Sequence, residues 1–310
     1  MTSPETACII RARGLSKQYG NARVVNALNM NVHAGDIYGF VGRNGAGKST
    51  TMKLICGLTR ASEGELQVLG HDLARWAGPT GVGSLIEAPG LLEKASALDN
   101  LLYKAYALGI EQPRPKCEEL LKLVGLSNTG TKQARNFSLG MKQRLGIALA
   151  LVGEPKLLLL DEPFNGLDPA ATHEMREALQ KLNKEQGLTI VVSSHVLDQL
   201  NRFATRFGVI DAGTMVVEFD AEHMNEMAAG YIRVRCTDMA KAAQTLAAAL
   251  PEAQITSAND GALLLPGTEG NLGKVSFALY NANLQVLELV RTQHDIEEFF
   301  LELMGKPSNS

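Results

Sequence analysis

Gly42-Arg43-Asn44-Gly45-Ala46-Gly47-Lys48-Ser49-Thr50 has the form G-x-x-x-x-G-K-[ST], and its flanks decide what that form means. Ahead of it, Ile37-Tyr38-Gly39-Phe40-Val41 is an apolar run of strand length. After it, Ser49 to Cys56 reads as a helix that Gly57 ends. Glycines let successive backbone N–H groups turn inward, so a loop between such a strand and such a helix becomes a concave anion nest at a helix N-terminus. Lys48 adds a full positive charge where the β- and γ-phosphates of a nucleotide would lie, and the Ser49 hydroxyl is placed to ligate the Mg²⁺ that bridges them. A glycine-rich turn that only joins a strand to a helix is the plainer alternative. The order of strand, loop and helix favours the nucleotide site.

The rest of the composition bounds the setting. A chain of 310 residues has room for one large domain and a small one, and 45% hydrophobic with 20% charged residues is ordinary for a soluble protein. A net charge of −3 gives no broad basic surface, which disfavours a nucleic-acid machine. Cys8, Cys56, Cys117 and Cys236 are scattered with no C-x-x-C pair, as expected of isolated thiols in the cytoplasm. No basic-then-apolar signal pattern stands between Met1 and Ile10, and the apolar run from Leu145 to Gly153 falls short of the ~20 residues that span a membrane. Work at a membrane would therefore need a partner that supplies the spans.

Along the chain, Ala7 to Arg13 and Val24 to Val32 read as two antiparallel strands with a turn over Gly14 to Gly20. Tyr19, beside the turn glycine, reads either as a packing tyrosine or as a ring that stacks on a purine. Val82 to Ile86 is a strand that ends at Glu87, where a carboxylate faces the ligand crevice of such a sheet. Ala97 to Gly109 and Lys116 to Val124 turn helical, parted by Pro113 and Pro115, and suggest a helical insert. Ser138 caps the next helix, whose free N–H groups, with Gly140 among the first residues, offer a second anion site. Leu157-Leu158-Leu159-Leu160-Asp161-Glu162 is a strand buried on both faces that ends in two acids. Asp161 is placed to hold Mg²⁺ and Glu162 to polarise the attacking water. Asp168 before Pro169 starts a helix as its N-cap, and Thr189 to Ser193 is a second buried strand that delivers Ser194-His195 to the same edge as Asp161. His195 is there a candidate γ-phosphate sensor.

In this order the motifs resemble the ATPase subunit of ATP-binding cassette (ABC) transporters over about residues 7 to 220. The resemblance makes Tyr19 the adenine-stacking residue, Gly42 to Thr50 the Walker A loop and Glu87 the occupant of the glutamine-loop position. It makes Ser138 to Lys142 the signature, Leu157 to Glu162 Walker B with its catalytic acid, Asn165 to Asp168 the D-loop, and His195 the switch histidine. It implies ATP and Mg²⁺ as cofactors, an integral membrane permease as partner, and a second cassette paired head to tail so that Ser138 and Gly140 of one copy close the ATP on the other. Two positions depart from the family pattern. The signature reads Ser-Leu-Gly-Met, and Glu87 replaces a glutamine; the second departure is similar to the lantibiotic-immunity and bacitracin-resistance exporters.

The expected architecture is thus an α/β P-loop cassette: a mixed sheet core, an N-terminal antiparallel β part and a helical subdomain at about 88–153, all within residues 1–222. Residues 223–310 read as a small α/β appendage without evident chemistry. Its strands are expected at Tyr231 to Arg235, Ala262 to Leu265 and Gln285 to Val290, and its helices at Met239 to Leu250, from Asn271, and at Asp295 to Met304 with a capping box of Asp295 and Glu298. The expected function is ATP hydrolysis that energises a permease for peptide-antibiotic export, at the inner face of the cell membrane. The alternatives are an exporter of an unrelated substrate, a soluble cassette acting on ribosomes or DNA, and a nucleotide-binding regulator that does not hydrolyse ATP.

Overall fold

The computed structural model describes residues 7–73, 80–196, 198–201, 203–222, 224, 230–253, 255–258, 260–266 and 272–292. The chain forms two compact units, Met1–Phe219 and Asp220–Ser310.

The first unit is built on two sheets. The smaller is antiparallel, with β1 (Cys8–Tyr19), β2 (Ala22–His33), β4 (Glu63–Val68) and β5 (His71–Asp72) in the order β2-β1-β4-β5. The larger contains β3 (Ile37–Val41), β6 (Val82–Leu85), β7 (Leu157–Asp161), β8 (Thr189–Ser194), β9 (Arg206–Asp211) and β10 (Thr214–Asp220), in the order β10-β9-β3-β8-β7-β6. Five of the six, from β9 to β6 in that order, run parallel. Every residue of β3, β7 and β8 is buried, which is why these strands read as unbroken apolar runs rather than alternating ones. Because β8 lies between β3 and β7, the ends Val41, Ser194 and Asp161 reach one edge, with Val41 opposite Ser194 and Asp161 opposite Ser193.

Helix α1 (Lys48–Ile55) starts at that edge and buries Met52, Leu54 and Ile55 in a core shared by Ile10, Leu28 and Met30 of the small sheet and Leu157, Leu159 and Val191 of the large one. The loop before α1 is therefore anchored on both sheets. Helices α2 (Ala97–Ala107), α3 (Arg114–Leu123) and α4 (Leu139–Leu151) pack against one another, and α2 opens with a capping box of Ser96 and Asp99. Helix α5 (Pro169–Gln186) ends at Gly187 in the left-handed region, and the short α6 (Asp198–Asn201) follows β8.

Two sequence expectations are corrected. Gly14 to Gly20 is not a turn: β1 continues through it to Tyr19, and Gly14, at φ 55°, lies where the register with β2 shifts. The chain stays in the sheet because Leu15 and Ser16 are buried there, and a bulge at a glycine re-aims a strand without ending it. Pro115 does not separate two helices but sits in the first turn of α3, where its missing N–H is not needed.

The second unit is a four-stranded antiparallel sheet in the order β12-β13-β11-β14, from β11 (Tyr231–Cys236), β12 (Thr256–Ser257), β13 (Leu263–Pro266) and β14 (Val286–Thr292). Helices α7 (Met239–Ala249) and α8 (Leu272–Asn281) share a core with it through Val234, Leu246, Leu265 and Leu279. Asn271 and the expected helix at Asp295 to Met304 lie outside the described residues. Among the described residues no helix is long and apolar enough to cross a membrane.

Candidate nucleotide site

The loop that leaves β3 is held by backbone from three sides. Gly42 N–H donates to the Ser194 carbonyl at the end of β8 (3.3 Å), Gly213 N–H donates to the Ala46 carbonyl (3.0 Å), and Asn26 N–H on β2 donates to the Gly213 carbonyl (2.9 Å). Gly213 and Ala212 both have positive φ and form the tight turn between β9 and β10. A Cβ on Gly213 would stand 2.6 Å from the Val24 carbonyl oxygen, and one on Gly42 would stand 2.4 Å from that of Ile210. Gly42 was expected to matter and Gly213 was not. Its only signal in the sequence is an Asp-Ala-Gly-Thr turn between two strand patterns.

Gly47, at φ 106°, is the N-cap of α1, and no side chain caps the helix. The first helical hydrogen bond is Thr51 N–H to the Gly47 carbonyl, so the amides of Lys48, Ser49 and Thr50 precede the ladder and point out of the N-terminus. Lys48 is 5% exposed. Its Nζ donates to the Gly42 carbonyl (2.7 Å) and the Arg43 carbonyl (3.2 Å), and lies 3.6 Å from Glu162 Oε1. Arg43, Asn44 and Gly45 are exposed at the loop's tip, Ala46 is buried beneath it, and Ser49 and Thr50 are half-buried.

The two acids at the end of β7 point to different partners. Asp161 is buried and accepts a hydrogen bond from Ser193 Oγ (2.5 Å). Glu162 sits in the left-handed region, φ 48°, a conformation that costs a non-glycine residue about 1–2 kcal/mol. That turn carries its carboxylate away from Asp161, to 3.0 Å between Oε2 and His195 Nδ1, with Asn165 Nδ2 at 3.5 Å. Glu162 Oε1 is buried without a hydrogen-bond partner among the described residues. His195 follows Ser194, whose hydroxyl accepts from Val196 N–H at 3.0 Å and so shapes the loop that carries the imidazole.

Lys48, Glu162 and His195 are thus brought together, with Asp161 and Ser49 beside them in sequence. Buried cation, unbonded amides and an orphaned carboxylate oxygen are the complement of a polyphosphate and a water. Ser49 and Asp161 supply the hydroxyl and carboxylate oxygens that suit Mg²⁺. This donor set fits a Mg²⁺–nucleotide.

The remaining expected residues stand elsewhere. Tyr19, 47% exposed, ends β1 with the Lys17 ammonium 4.8 Å from its ring centroid. Glu87, at φ 63°, pairs with Lys53 of α1 and makes no hydrogen bond with Ser49 or Asp161 among the described residues. The hydrogen bond from Lys53 to Glu87 raises the lysine's pKa, against a lesser desolvation, and Tyr19 and Asp161 act in the same upward direction. Ser138 is exposed and its Oγ caps α4 through Met141 N–H (3.3 Å). Gly140 lies against Leu167, and Asp168 Oδ1 caps α5 through Ala171 N–H (2.8 Å). None of these three makes a hydrogen bond or ion pair with the phosphate loop among the described residues. Besides Gly213, the sequence does not single out Ser193, which follows Ile190-Val191-Val192 in a strand buried throughout.

The ABC transporter family profile matches residues 25–165. The chain is 36% identical over 299 residues to the bacitracin transport ATP-binding protein BcrA of Bacillus licheniformis, covering 96% of this chain and 97% of that one. It is 39% identical over 222 residues to the lantibiotic transport ATP-binding protein SrtF of Streptococcus pyogenes, covering 71% of this chain and 95% of that one. A solved structure described as a dimeric bacterial ABC transporter cassette superposes with a TM-score of 0.62 at 25% identity, over 68% of this chain and 98% of the cassette. The phosphate loop, the paired acids and the end-to-end likeness agree, and the chain belongs to the family of ABC transporter ATP-binding subunits, which are ATPases.

Proposed function

We propose that the chain hydrolyses Mg²⁺–ATP at the inner face of the cell membrane to drive a separate permease that exports a peptide antibiotic. The observation that carries the substrate class is the similarity to the bacitracin transport subunit, which runs through the second unit as well as the cassette. The proposed boundary is at 222/223, with residues 88–153 as the helical subdomain.

In this reading the amides of Lys48, Ser49 and Thr50 and the Lys48 ammonium bind the phosphates, and Tyr19 stacks on the adenine with its exposed ring. Ser49 and Asp161 would hold Mg²⁺, which would supply neutralisation of phosphate charge when bound. Glu162 takes a proton from the attacking water through Oε1, His195 steadies Glu162 at Oε2 and touches the γ-phosphate, and Glu87, here paired with Lys53, would be a further ligand for the metal. Exposed Ser138, with Gly140 behind it, closes the ATP on a second copy, an arrangement supported by the dimeric state of the superposed cassette.

The permease is proposed to enter a groove of about 340 Å³ between β6 and the helical part, lined by Leu58, Pro89, Leu92, Tyr103 and Lys104. Leu58, Leu92 and Tyr103 are exposed apolar surface, and burial pushes the Lys104 ammonium pKa down. Co-expression with candidate permeases in a sensitive host, scored against peptide antibiotics and non-peptide toxins, tests the substrate. Raised resistance to a peptide antibiotic that Lys48→Ala abolishes is expected. Resistance confined to non-peptide toxins overturns the peptide class, and recovery of ribosomes in place of a membrane protein from solubilised membranes overturns transport.

A further inference from the structure

We infer that Ser193 is a positioning residue for hydrolysis, setting Asp161 and Glu162 relative to each other through one hydroxyl. The inference rests on the proposed roles of those two acids. Ser193 Oγ donates to Asp161 Oδ1 at 2.5 Å and accepts from the Glu162 backbone N–H at 2.9 Å. A hydroxyl has one donor and two acceptor sites, and here the donor and one acceptor go to consecutive residues, the last of the neighbouring strand and the one that follows it.

The geometry explains why a polar side chain is tolerated there. Ser193 is fully buried in a strand whose preceding residues are Ile190, Val191 and Val192, and it lies directly opposite Asp161 in the parallel ladder. A buried hydroxyl without partners is costly, and both of its partners belong to the site. Its hydrogen bond to Oδ1 fixes the Asp161 carboxylate and leaves Oδ2, which accepts no hydrogen bond among the described residues, for a cation. Its acceptance from Glu162 N–H holds the left-handed turn that sends the Glu162 carboxylate to His195 and Lys48. The place of the metal ligand and the place of the base are therefore not independent: one hydroxyl fixes both. Partners of this kind behind a metal ligand typically carry about 10–100-fold in metal affinity or activity.

The test measures Mn²⁺ affinity by electron paramagnetic resonance on the full chain with a non-hydrolysable ATP analogue, alongside analogue affinity, kcat and KM. Ser193→Ala is expected to keep analogue affinity within about three-fold while Mn²⁺ affinity and kcat each fall about 10–100-fold. Ser193→Thr and Ser193→Val are isosteric and differ in the hydroxyl, so crowding burdens both alike. Thr is expected to keep Mn²⁺ affinity and kcat well above Val, and this pair decides the matter if the alanine variant does not fold. Equal values for Thr and Val, or a folded alanine variant with unchanged Mn²⁺ affinity and kcat, overturn the inference. Asp161→Asn and Glu162→Gln run in parallel: if they too leave metal affinity and kcat unchanged, the proposed roles of the acids fail. If they collapse while the Ser193 variants do not, Ser193 alone is refuted.

Discussion

Single side chains in this protein are fixed by what their polar atoms meet when buried. Tyr38, wholly buried in β3, donates its phenol to Glu218 Oε1 at 2.7 Å, and a Cβ on the neighbouring Gly208 would collide with it. Burial first, and the Glu218 charge second, raise the Tyr38 pKa well above 10.0. An acid with a raised folded pKa contributes stability that is complete below its unfolded value and is lost as pH climbs past it. Tyr38→Phe is expected to cost about 1.5–3 kcal/mol at pH 7 by urea unfolding, the size of a hydrogen bond to a charged group. The gap to the wild type should narrow above pH 10, where the unfolded phenol ionises and the folded one does not. A gap that stays constant to pH 11 contradicts this pairing. The tyrosine was legible in the sequence as strand and the glutamate was not, because they lie 180 residues apart and only the sheet order brings them together. Ser193 escaped notice for the same reason. Lys48 was legible from the G-x-x-x-x-G-K-[ST] pattern, and Glu162 and His195 because each closely follows an apolar run, and parallel strands leave their ends at one edge.

Elements are positioned by glycines at the few places where backbones touch. The turn at Gly213 clamps the phosphate loop to β2, and there a side chain would meet both a positive φ and the Val24 carbonyl. Gly213→Ala is expected to lower the melting temperature and weaken ATP binding at least ten-fold. Gly187→Ala, at φ 66° in open space, should cost about 1–2 kcal/mol and leave ATP binding unchanged. Isothermal titration with ATP separates the two; equal ATP affinities in both variants would show that the clamp does not shape the loop. The helices and the buried strands were readable from periodicity and continuous apolar runs, as were Asp168 and Ser138 as caps. The length of β1 was not, because a glycine inside a strand and a glycine in a turn look alike until the partner strand is known.

At the scale of the molecule, the proposal gives each chain two half-sites, one at the phosphate loop and one at the start of α4. Lys48→Ala and Gly140→Asp disable different halves. Mixing the two inactive variants is expected to regain a clear fraction of wild-type ATPase activity from one intact composite site, and no recovery on mixing contradicts the head-to-tail pairing. The cassette was legible in outline because its motifs lie in linear order. The second unit carries no motif, and its antiparallel sheet follows only from pairings between strands that alternate weakly. The claim on which the rest depends is that Glu162 activates the water that attacks ATP. Steady-state phosphate release by Glu162→Gln tests it most directly: the account predicts ATP binding at the wild-type level with turnover reduced about 10²–10⁴-fold, and near-normal hydrolysis in that variant would contradict it.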